Sequence, residues 1–252
     1  MKPDTVKLES HAHGDELFDA YAGNYDAALA EGLRVTGEDA SYFAQGRVAW
    51  MKRRLKALGI VPRRVLDFGC GTGGSVPYLL SLDGVEEIVG VDISTSSLDV
   101  ARERHGGSNV RFAHSSSVVD DDFDIAFCNG VFHHIPVADR SACVEYVFNR
   151  LRPGGAFALW ENNPWNPGVR YIMRRVAFDS DAIVLSPPET RRMLRSAGFE
   201  AIATSFVFVF PNQLRWLRGI ERWVSRIPAG GQYLTIGLRP ALKSKVNVLH
   251  RP

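Results

Sequence analysis

The sequence has few of the features that place a protein in a membrane or in an oxidising compartment. Nowhere do the roughly 18 consecutive apolar residues of a transmembrane helix occur. Only three cysteines are present in 252 residues, and they lie far apart, without the spacing of a metal site. We therefore expect Cys70, Cys128 and Cys143 to be reduced and structural, and we predict no metal ligands.

The chain also has no large excess of positive or negative charge. The chain has 30 Lys and Arg against 28 Asp and Glu, which leaves a formal net charge of +2. So small a charge gives no reason to expect a nucleic-acid partner. With 45% hydrophobic and 23% charged residues, the composition is that of an ordinary globular protein. A chain of 252 residues is long enough for one large α/β domain.

The chain starts with the polar run MKPDTVKLESHAHGDE, which has no apolar core of signal-peptide length. We therefore expect a cytoplasmic location and a disordered head at residues 1–15. From residue 16 the pattern changes to two amphipathic runs that end at Gly59. These runs predict helices over residues 16–59, before the first strand.

The most informative stretch is VLDFGCGTGG, residues 65–74. A short apolar run carries one acid, Asp67, and leads into a loop in which Gly69, Gly71 and Gly73 alternate with other residues. Glycine permits positive φ and a close approach to a ligand, and the SVPYLLSL that follows has helical apolar spacing. The pattern predicts a buried strand that ends in a tight turn, with backbone amides facing a small ligand.

Two kinds of ligand are compatible with this loop. Gly69, Gly71 and Gly74 also match the G-x-G-x-x-G spacing of dinucleotide sites, where a pyrophosphate faces the start of a helix. Asp67 argues against that ligand, because a carboxylate at the turn would repel a pyrophosphate and attract a cation. S-adenosylmethionine carries both a sulfonium and an ammonium group. We therefore favour it, and a nicotinamide-dependent oxidoreductase is the less favoured alternative.

The stretch resembles motif I, D-x-G-x-G-x-G, of the class I S-adenosylmethionine-dependent methyltransferases. The resemblance continues in order through VGVDIS (89–94), FDIAFCNGVFHHI (123–135) and LRPGG (151–155), and covers roughly residues 60–160. Four motifs in order are much more specific than one. The resemblance implies methyl transfer from S-adenosylmethionine to a small-molecule acceptor. Oxygen is the preferred acceptor atom, nitrogen the second choice and carbon the third. The alternative is a protein that binds S-adenosylmethionine without methyl transfer.

Strand and helix patterns alternate along the rest of the chain, which predicts a doubly wound, mainly parallel sheet of seven strands. Ligands of such sheets bind at the carboxyl ends of the strands. The resemblance makes the seventh strand antiparallel. We predict a single methyltransferase domain over residues 16–252, with its cofactor-binding core at 60–160. The remainder, 161–252, is expected to hold an acceptor-side insertion and the last strands.

The resemblance also assigns cofactor contacts. Asp92 ends the second strand, where an acid can accept from both ribose hydroxyls, and Ile93 would lie against the adenine. Where similar enzymes carry an acid after the third strand, this chain has His-Ser-Ser-Ser, which leaves Ser116 as the aligned adenine contact and Asp120 as a weaker one. The other contacts implied are Asp67 and the loop residues Gly69, Cys70 and Gly71, with Asn129 near the methionine ammonium and Tyr21 and Tyr25 folded over the cofactor.

Three residues are candidates for proton transfer at the acceptor. His133 and His134 follow the fourth strand and are expected to begin the next element, so that only one of them can face the site. Glu161 is predicted at the carboxyl end of the fifth strand, as a base or a substrate anchor. For each residue the alternative is a structural role, which for Glu161 would be a pair with a nearby arginine.

The segment 212–227 predicts an amphipathic basic helix. Its apolar residues recur at helical spacing as one stripe, with arginines around the rest. The stripe comprises Leu214, Leu217, Ile220, Val224 and Ile227. We expect this stripe to pack on the sheet or to cover the acceptor pocket. The alternative is that the segment, with Trp216 and Trp223, contacts a membrane surface or a lipid-linked substrate. The sequence leaves the oligomeric state open.

Overall fold

The computed structural model describes residues 32–117, 122–175 and 182–241. Tyr21, Tyr25, Asp120, the head at 1–15 and the first of the predicted N-terminal helices lie outside the described residues. The predicted roles of Tyr21 and Tyr25 therefore stay predictions.

Seven strands form one sheet in the order β3-β2-β1-β4-β5-β7-β6. The strands are β1 Arg64–Phe68, β2 Glu87–Asp92, β3 Val110–His114, β4 Phe123–Asn129, β5 Leu151–Asn162, β6 Glu200–Val207 and β7 Gln232–Leu238. All neighbours are parallel except β7, which is antiparallel to both β5 and β6. The doubly wound, mainly parallel sheet and its antiparallel seventh strand are thus confirmed. The carboxyl ends of β1 to β6 and the start of β7 share one edge, which we call the carboxyl edge.

Helices cover both faces of the sheet. They are α1 Ala40–Leu58, α2 Val76–Leu79, α3 Thr95–His105, α4 Arg140–Arg150, α5 Pro167–Met173, α6 Pro187–Ser196 and α7 Glu221–Val224. Short 3-10 helices occupy Arg34–Thr36, Ser115–Ser117 and Asn212–Ile220. On one face α1 buries Met51 and Leu55, and on the other α4 buries Val144 and Val147. The sheet is therefore apolar on both sides, as parallel sheets are.

Local capping explains where α1 begins and ends. The side chain of Asp39 accepts a hydrogen bond from the Tyr42 amide at 2.8 Å, which satisfies one of the unpaired donors of the first turn. Gly59 ends the helix with φ +70°, the left-handed conformation that favours glycine. The second predicted N-terminal helix is thus confirmed, and it lies directly before β1.

The three cysteines are buried and unpaired, as expected. Burial raises the thiol pKa of Cys70, Cys128 and Cys143 above its ordinary value. Thiols held in the neutral form are poor nucleophiles and poor metal ligands. Their role is to pack in the core.

The residues LRPGG belong to β5, with a register shift between Phe123 and Ile125 of the paired strand β4. One local prediction was wrong. The segment 212–227 is not one helix: a 3-10 helix with non-helical angles at Leu214 precedes the short α7. None of the residues in these two elements is buried, so the predicted stripe is not part of the core.

Candidate cofactor and acceptor site

The glycine loop lies at the carboxyl edge between β1 and α2. Gly69, Gly71 and Gly73 have φ of +71°, +51° and +80°, values that L-residues with side chains adopt only under strain. The amides of Gly69 and Cys70 donate to the Val91 carbonyl at 2.8 and 3.0 Å, which ties the loop to β2. The loop is therefore a tight turn tied to the neighbouring strand, as the sequence predicts, with Gly69 and Gly71 half-buried and Gly73 buried.

Asp92 holds the other side of this turn. Its Oδ2 accepts from the Gly71 amide at 2.8 Å and its Oδ1 accepts from the Ser94 amide at 3.0 Å. Burial raises the pKa of Asp92, and the hydrogen bonds from these amides oppose that rise. An ionised carboxylate has about four acceptor positions, so two more hydrogen bonds can be accepted. A Cβ added to Gly71 would meet no atom of the described residues within 4 Å, so these residues leave space beside this glycine.

Asp67 is a buried acid near the same turn. Asp67 is only 2% exposed, and within the described residues its Oδ2 has no hydrogen-bond partner. Burial, together with the nearby Asp92 carboxylate, raises the pKa of Asp67 to about 7. An acceptor left unpaired in the interior costs free energy. A cationic or hydrogen-bonding ligand would supply the missing partner.

The raised pKa of Asp67 predicts how the stability of the protein without cofactor depends on pH. The carboxyl has an ordinary pKa of 3.8, so above that pH the unfolded chain loses its proton while the folded protein keeps it until about pH 7. The free energy of unfolding should therefore fall by up to about 4 kcal/mol between pH 4 and 7, and then level off.

Denaturant unfolding at a series of pH values tests this prediction by comparing the wild type with Asp67→Asn. Groups away from Asp67 titrate equally in both proteins, so the difference between the two curves reports Asp67 and its coupling to the nearby Asp92. The matched control is Asp83→Asn, because the Asp83 side chain is 80% exposed. Parallel curves for the wild type and Asp67→Asn would show that the pKa of Asp67 is not raised.

The other predicted cofactor residues lie at the ends of neighbouring strands. Asn129 ends β4, and within the described residues its buried Oδ1 has no hydrogen-bond partner. Ile93 is half-buried directly after β2. Cys70 contributes its backbone only, because its side chain belongs to the core. Ser116 is exposed after β3, with its hydroxyl 2.7 Å from His114 Nδ1.

These observations test whether the residues present fit S-adenosylmethionine. Asp67 and Asn129 offer buried acceptors that have no partner among the described residues, and Asp92 has acceptor positions left near Gly71. The cofactor has matching groups: cationic ammonium and sulfonium, and two ribose hydroxyls. The donor and acceptor sets fit each other.

At the acceptor side the structure joins two of the predicted residues into a pair. Glu161 is fully buried at the carboxyl end of β5, and its Oε2 lies 2.6 Å from Nδ1 of His133. Its Oε1 accepts from the Phe132 amide at 2.9 Å. Both carboxylate oxygens are thus engaged in holding the turn after β4. The expectation of an arginine partner for Glu161 is replaced by this histidine.

The pair determines which ring nitrogen of His133 carries the proton. A carboxylate beside Nδ1 favours the tautomer with a proton there, which leaves the lone pair on Nε2. A Cβ added to Gly130 would lie 3.6 Å from His133 Cε1, the carbon between the two nitrogens. The ring edge is therefore next to the end of β4. In this geometry Glu161 orients the His133 ring.

His134 is placed differently. Both histidines lie in a turn and not at the start of a helix, since α4 begins only at Arg140. The His134 ring is half-buried and packs on His133, with ring centroids 4.1 Å apart. The prediction that only one of the two histidines faces the site stays a prediction.

Sequence reasoning missed a hydrogen-bonded chain that joins α1 to the carboxyl edge. Arg47 is buried, and its Nη1 donates to Gln232 Oε1 at 3.0 Å. The Nε2 of Gln232 then donates to Asn162 Oδ1 at 3.2 Å. No motif could have indicated these contacts, because 185 residues separate Arg47 from Gln232.

Among residues 32–117, 122–175 and 182–241, no group of three or more His, Cys, Asp or Glu side chains could hold a metal ion.

Comparison with known proteins gives consistent results. A family model described as a methyltransferase domain matches residues 65–155. The chain is 34% identical over 120 residues to a trans-aconitate 2-methyltransferase from Rhodopseudomonas palustris, which covers 46% of this chain and 45% of that protein. It is 29% identical over 170 residues to a ubiquinone biosynthesis O-methyltransferase from Aromatoleum aromaticum, which covers 61% and 70% respectively. The chain thus spans less than half of the length of the first of these relatives.

Solved structures show the same fold. An S-adenosylmethionine-dependent methyltransferase from Thermotoga maritima aligns with a TM-score of 0.61 and 18% identity, covering 90% of this chain and all of that one. Identity this low supports the fold alone. The family model, by contrast, matches the segment that holds the glycine loop and Asp92. Residues 65–155 therefore carry a methyltransferase domain, in agreement with the resemblance to the class I S-adenosylmethionine-dependent methyltransferases.

Proposed function

We propose that the protein transfers a methyl group from S-adenosylmethionine to a small-molecule acceptor, with an oxygen atom as the first choice of nucleophile. The observation that carries the proposal is the buried Glu161–His133 pair at the same edge as the glycine loop, because a hydroxyl acceptor must lose its proton. The similar proteins include a ubiquinone biosynthesis O-methyltransferase and a trans-aconitate 2-methyltransferase. Nitrogen is the second choice and carbon the third.

The cofactor would be held by residues at the ends of β1, β2 and β4. Asp92 accepts from the ribose hydroxyls, Ile93 lies against the adenine, and Ser116 contacts the adenine from the end of β3. Asp67 and the backbone around Asn129 face the cationic methionine part. The remaining contacts are the loop residues Gly69, Cys70 and Gly71, together with Tyr21 and Tyr25 from the N-terminal segment.

Chemistry at this site requires alignment more than activation. When bound, S-adenosylmethionine supplies a methyl group on a positively charged sulfur, and the new bond to the acceptor forms as the carbon–sulfur bond breaks. The protein orients the acceptor and excludes water. His133 Nε2 takes the proton of a hydroxyl acceptor, and Glu161 stabilises the imidazolium that results. Glu161 is therefore a positioning residue, and His134 remains a second candidate for proton transfer.

Incubation with methyl-labelled S-adenosylmethionine and a fractionated metabolite extract tests the proposal. We expect label in a small-molecule product together with stoichiometric S-adenosylhomocysteine. Hydrolysis of the product then separates methyl ethers and esters from methylamines and C-methyl compounds. Tight binding of S-adenosylmethionine with no labelled product from any fraction would favour the alternative, a protein that binds the cofactor without methyl transfer.

A further inference from the structure

The connection between β6 and β7, residues 208–231, lies at the carboxyl edge, because β6 ends there and β7 begins there. It is fixed in place by several hydrogen bonds. The Phe206 amide donates to the Ser225 carbonyl at 2.7 Å, and the Val209 amide donates to Glu221 Oε1 at 2.6 Å. Arg218 forms an ion pair with Glu38 at 2.6 Å. The side chains that this connection exposes to solvent are therefore held in defined positions.

It presents an apolar stripe. Trp216 and Trp223 are 76% and 73% exposed, and Ile220 and Ile227 are 47% and 55% exposed. All four belong to the same short connection, in the 3-10 helix Asn212–Ile220, in α7 and shortly after it. The sequence pattern had grouped Ile220 and Ile227 with Leu217 and Val224, which face inward and are partly covered. Large exposed apolar groups that cluster in this way indicate a contact surface.

Positive charge surrounds the stripe. Arg215, Arg222 and Arg226 are exposed. The one acid within residues 212–227 is Glu221, which is half-buried and accepts from the Val209 amide. Arg218 does not add to the surface charge, because Glu38 pairs with it. We call the four apolar residues and these three exposed arginines the Trp–Arg face.

We propose that the Trp–Arg face binds the surface of an anionic phospholipid bilayer. Tryptophan rings favour the boundary between headgroups and acyl chains, and arginines around them attract anionic lipids. A second copy of the chain fits this face less well, because a two-fold contact would set the same arginines against one another. No described helix is both long enough and apolar enough to cross a bilayer, so the contact is peripheral.

The position of this face bears on the acceptor. Asn163, two residues after Glu161, is buried, and its Nδ2 donates to the carbonyls of Pro228 and Gly230 at 3.1 and 2.8 Å. The acceptor side of the site and the Trp–Arg face are thus joined at one edge. If methyl transfer takes place as proposed above, the acceptor would be a lipid-linked or membrane-dissolved molecule. The lipid contact itself does not depend on methyl transfer.

Vesicle flotation tests the lipid contact without any methyl donor, so its result is independent of the proposed function. The full chain is mixed with vesicles of phosphatidylcholine containing about a third of phosphatidylglycerol, or of phosphatidylcholine alone. We expect flotation with the anionic vesicles only, and a fall in binding with added salt. Trp216→Ser plus Trp223→Ser, and separately Arg222→Glu plus Arg226→Glu, should each weaken binding at least about tenfold.

Matched controls separate this face from non-specific attraction. Arg192→Glu plus Arg195→Glu on α6 changes the net charge by the same amount at exposed positions, and Val61→Ser plus Val137→Ser removes exposed apolar groups elsewhere. Both controls should float like the wild type. No flotation at low salt, or equal losses in controls and test variants, would overturn the proposal. So would a concentration-dependent dimer that the tryptophan variants abolish while vesicles remain unbound, since a second copy would then be the occupant.

Discussion

Replacing Glu161 with Gln is expected to lower the turnover number by about 100-fold or more, while the affinity for S-adenosylmethionine changes by less than about twofold. The Gln side chain has the same size, and its oxygen can still accept from the Phe132 amide as Oε1 does at 2.9 Å. Its NH2 group would then face His133 Nδ1, now 2.6 Å from Oε2. That contact favours the tautomer with the proton on Nε2, so His133 can no longer accept one.

The pH profile distinguishes this effect from a merely structural one. If His133 is the base, Glu161→Gln should change how turnover depends on pH, whereas a merely structural loss should lower turnover equally at every pH. Circular dichroism and cofactor titration verify that the variant is folded. The control is Glu145→Gln, an exposed acid on α4. Turnover and pH dependence like those of the wild type in Glu161→Gln and in His133→Ala would mean that catalysis is alignment alone.

The second large effect is expected for Asp92→Ala, which should weaken S-adenosylmethionine and S-adenosylhomocysteine alike by about 10- to 100-fold, or about 1–3 kcal/mol. The loss is the same for both because the ribose contact does not involve the methyl group. The amides of Gly71 and Ser94 also lose their acceptor, so the glycine loop should become less ordered and the unfolding midpoint should fall.

Calorimetric titration with both ligands measures the affinities. The control is Asp83→Ala, since Asp83 makes only an exposed ion pair with Lys52 and such pairs contribute little. If Asp92→Ala bound both ligands with unchanged affinity, Asp92 would not be the residue that contacts the ribose. A loss confined to S-adenosylmethionine would place Asp92 near the sulfonium instead.

The parts of the site that are local in sequence were predictable. The glycines at 69, 71 and 73 indicate a turn because only glycine adopts their positive φ without strain, and Asp92 follows from its place at the end of a strand. The alternation of strands and helices likewise predicts a parallel sheet, since parallel strands need crossover connections. The sheet order and the antiparallel β7 agree with what the family resemblance implies.

The prediction that failed rested on the periodicity of apolar residues alone. The stripe from Leu214 to Ile227 has helical spacing, but spacing alone does not say whether an apolar face meets the core or solvent. The backbone angles at Leu214 break the helix, and hydrogen bonds from Phe206 and Val209 fix which side of the connection faces inward.

The sequence by itself determined the fold class, the glycine loop and the acids around it, because each depends on the conformational preferences of residues close together in the chain. Only the tertiary structure decided that Glu161 holds His133, that Arg47 reaches Gln232, and that two tryptophans remain exposed. Such contacts join residues that are distant in sequence, and they form only when neighbouring strands and helices bring the side chains together at the carboxyl edge.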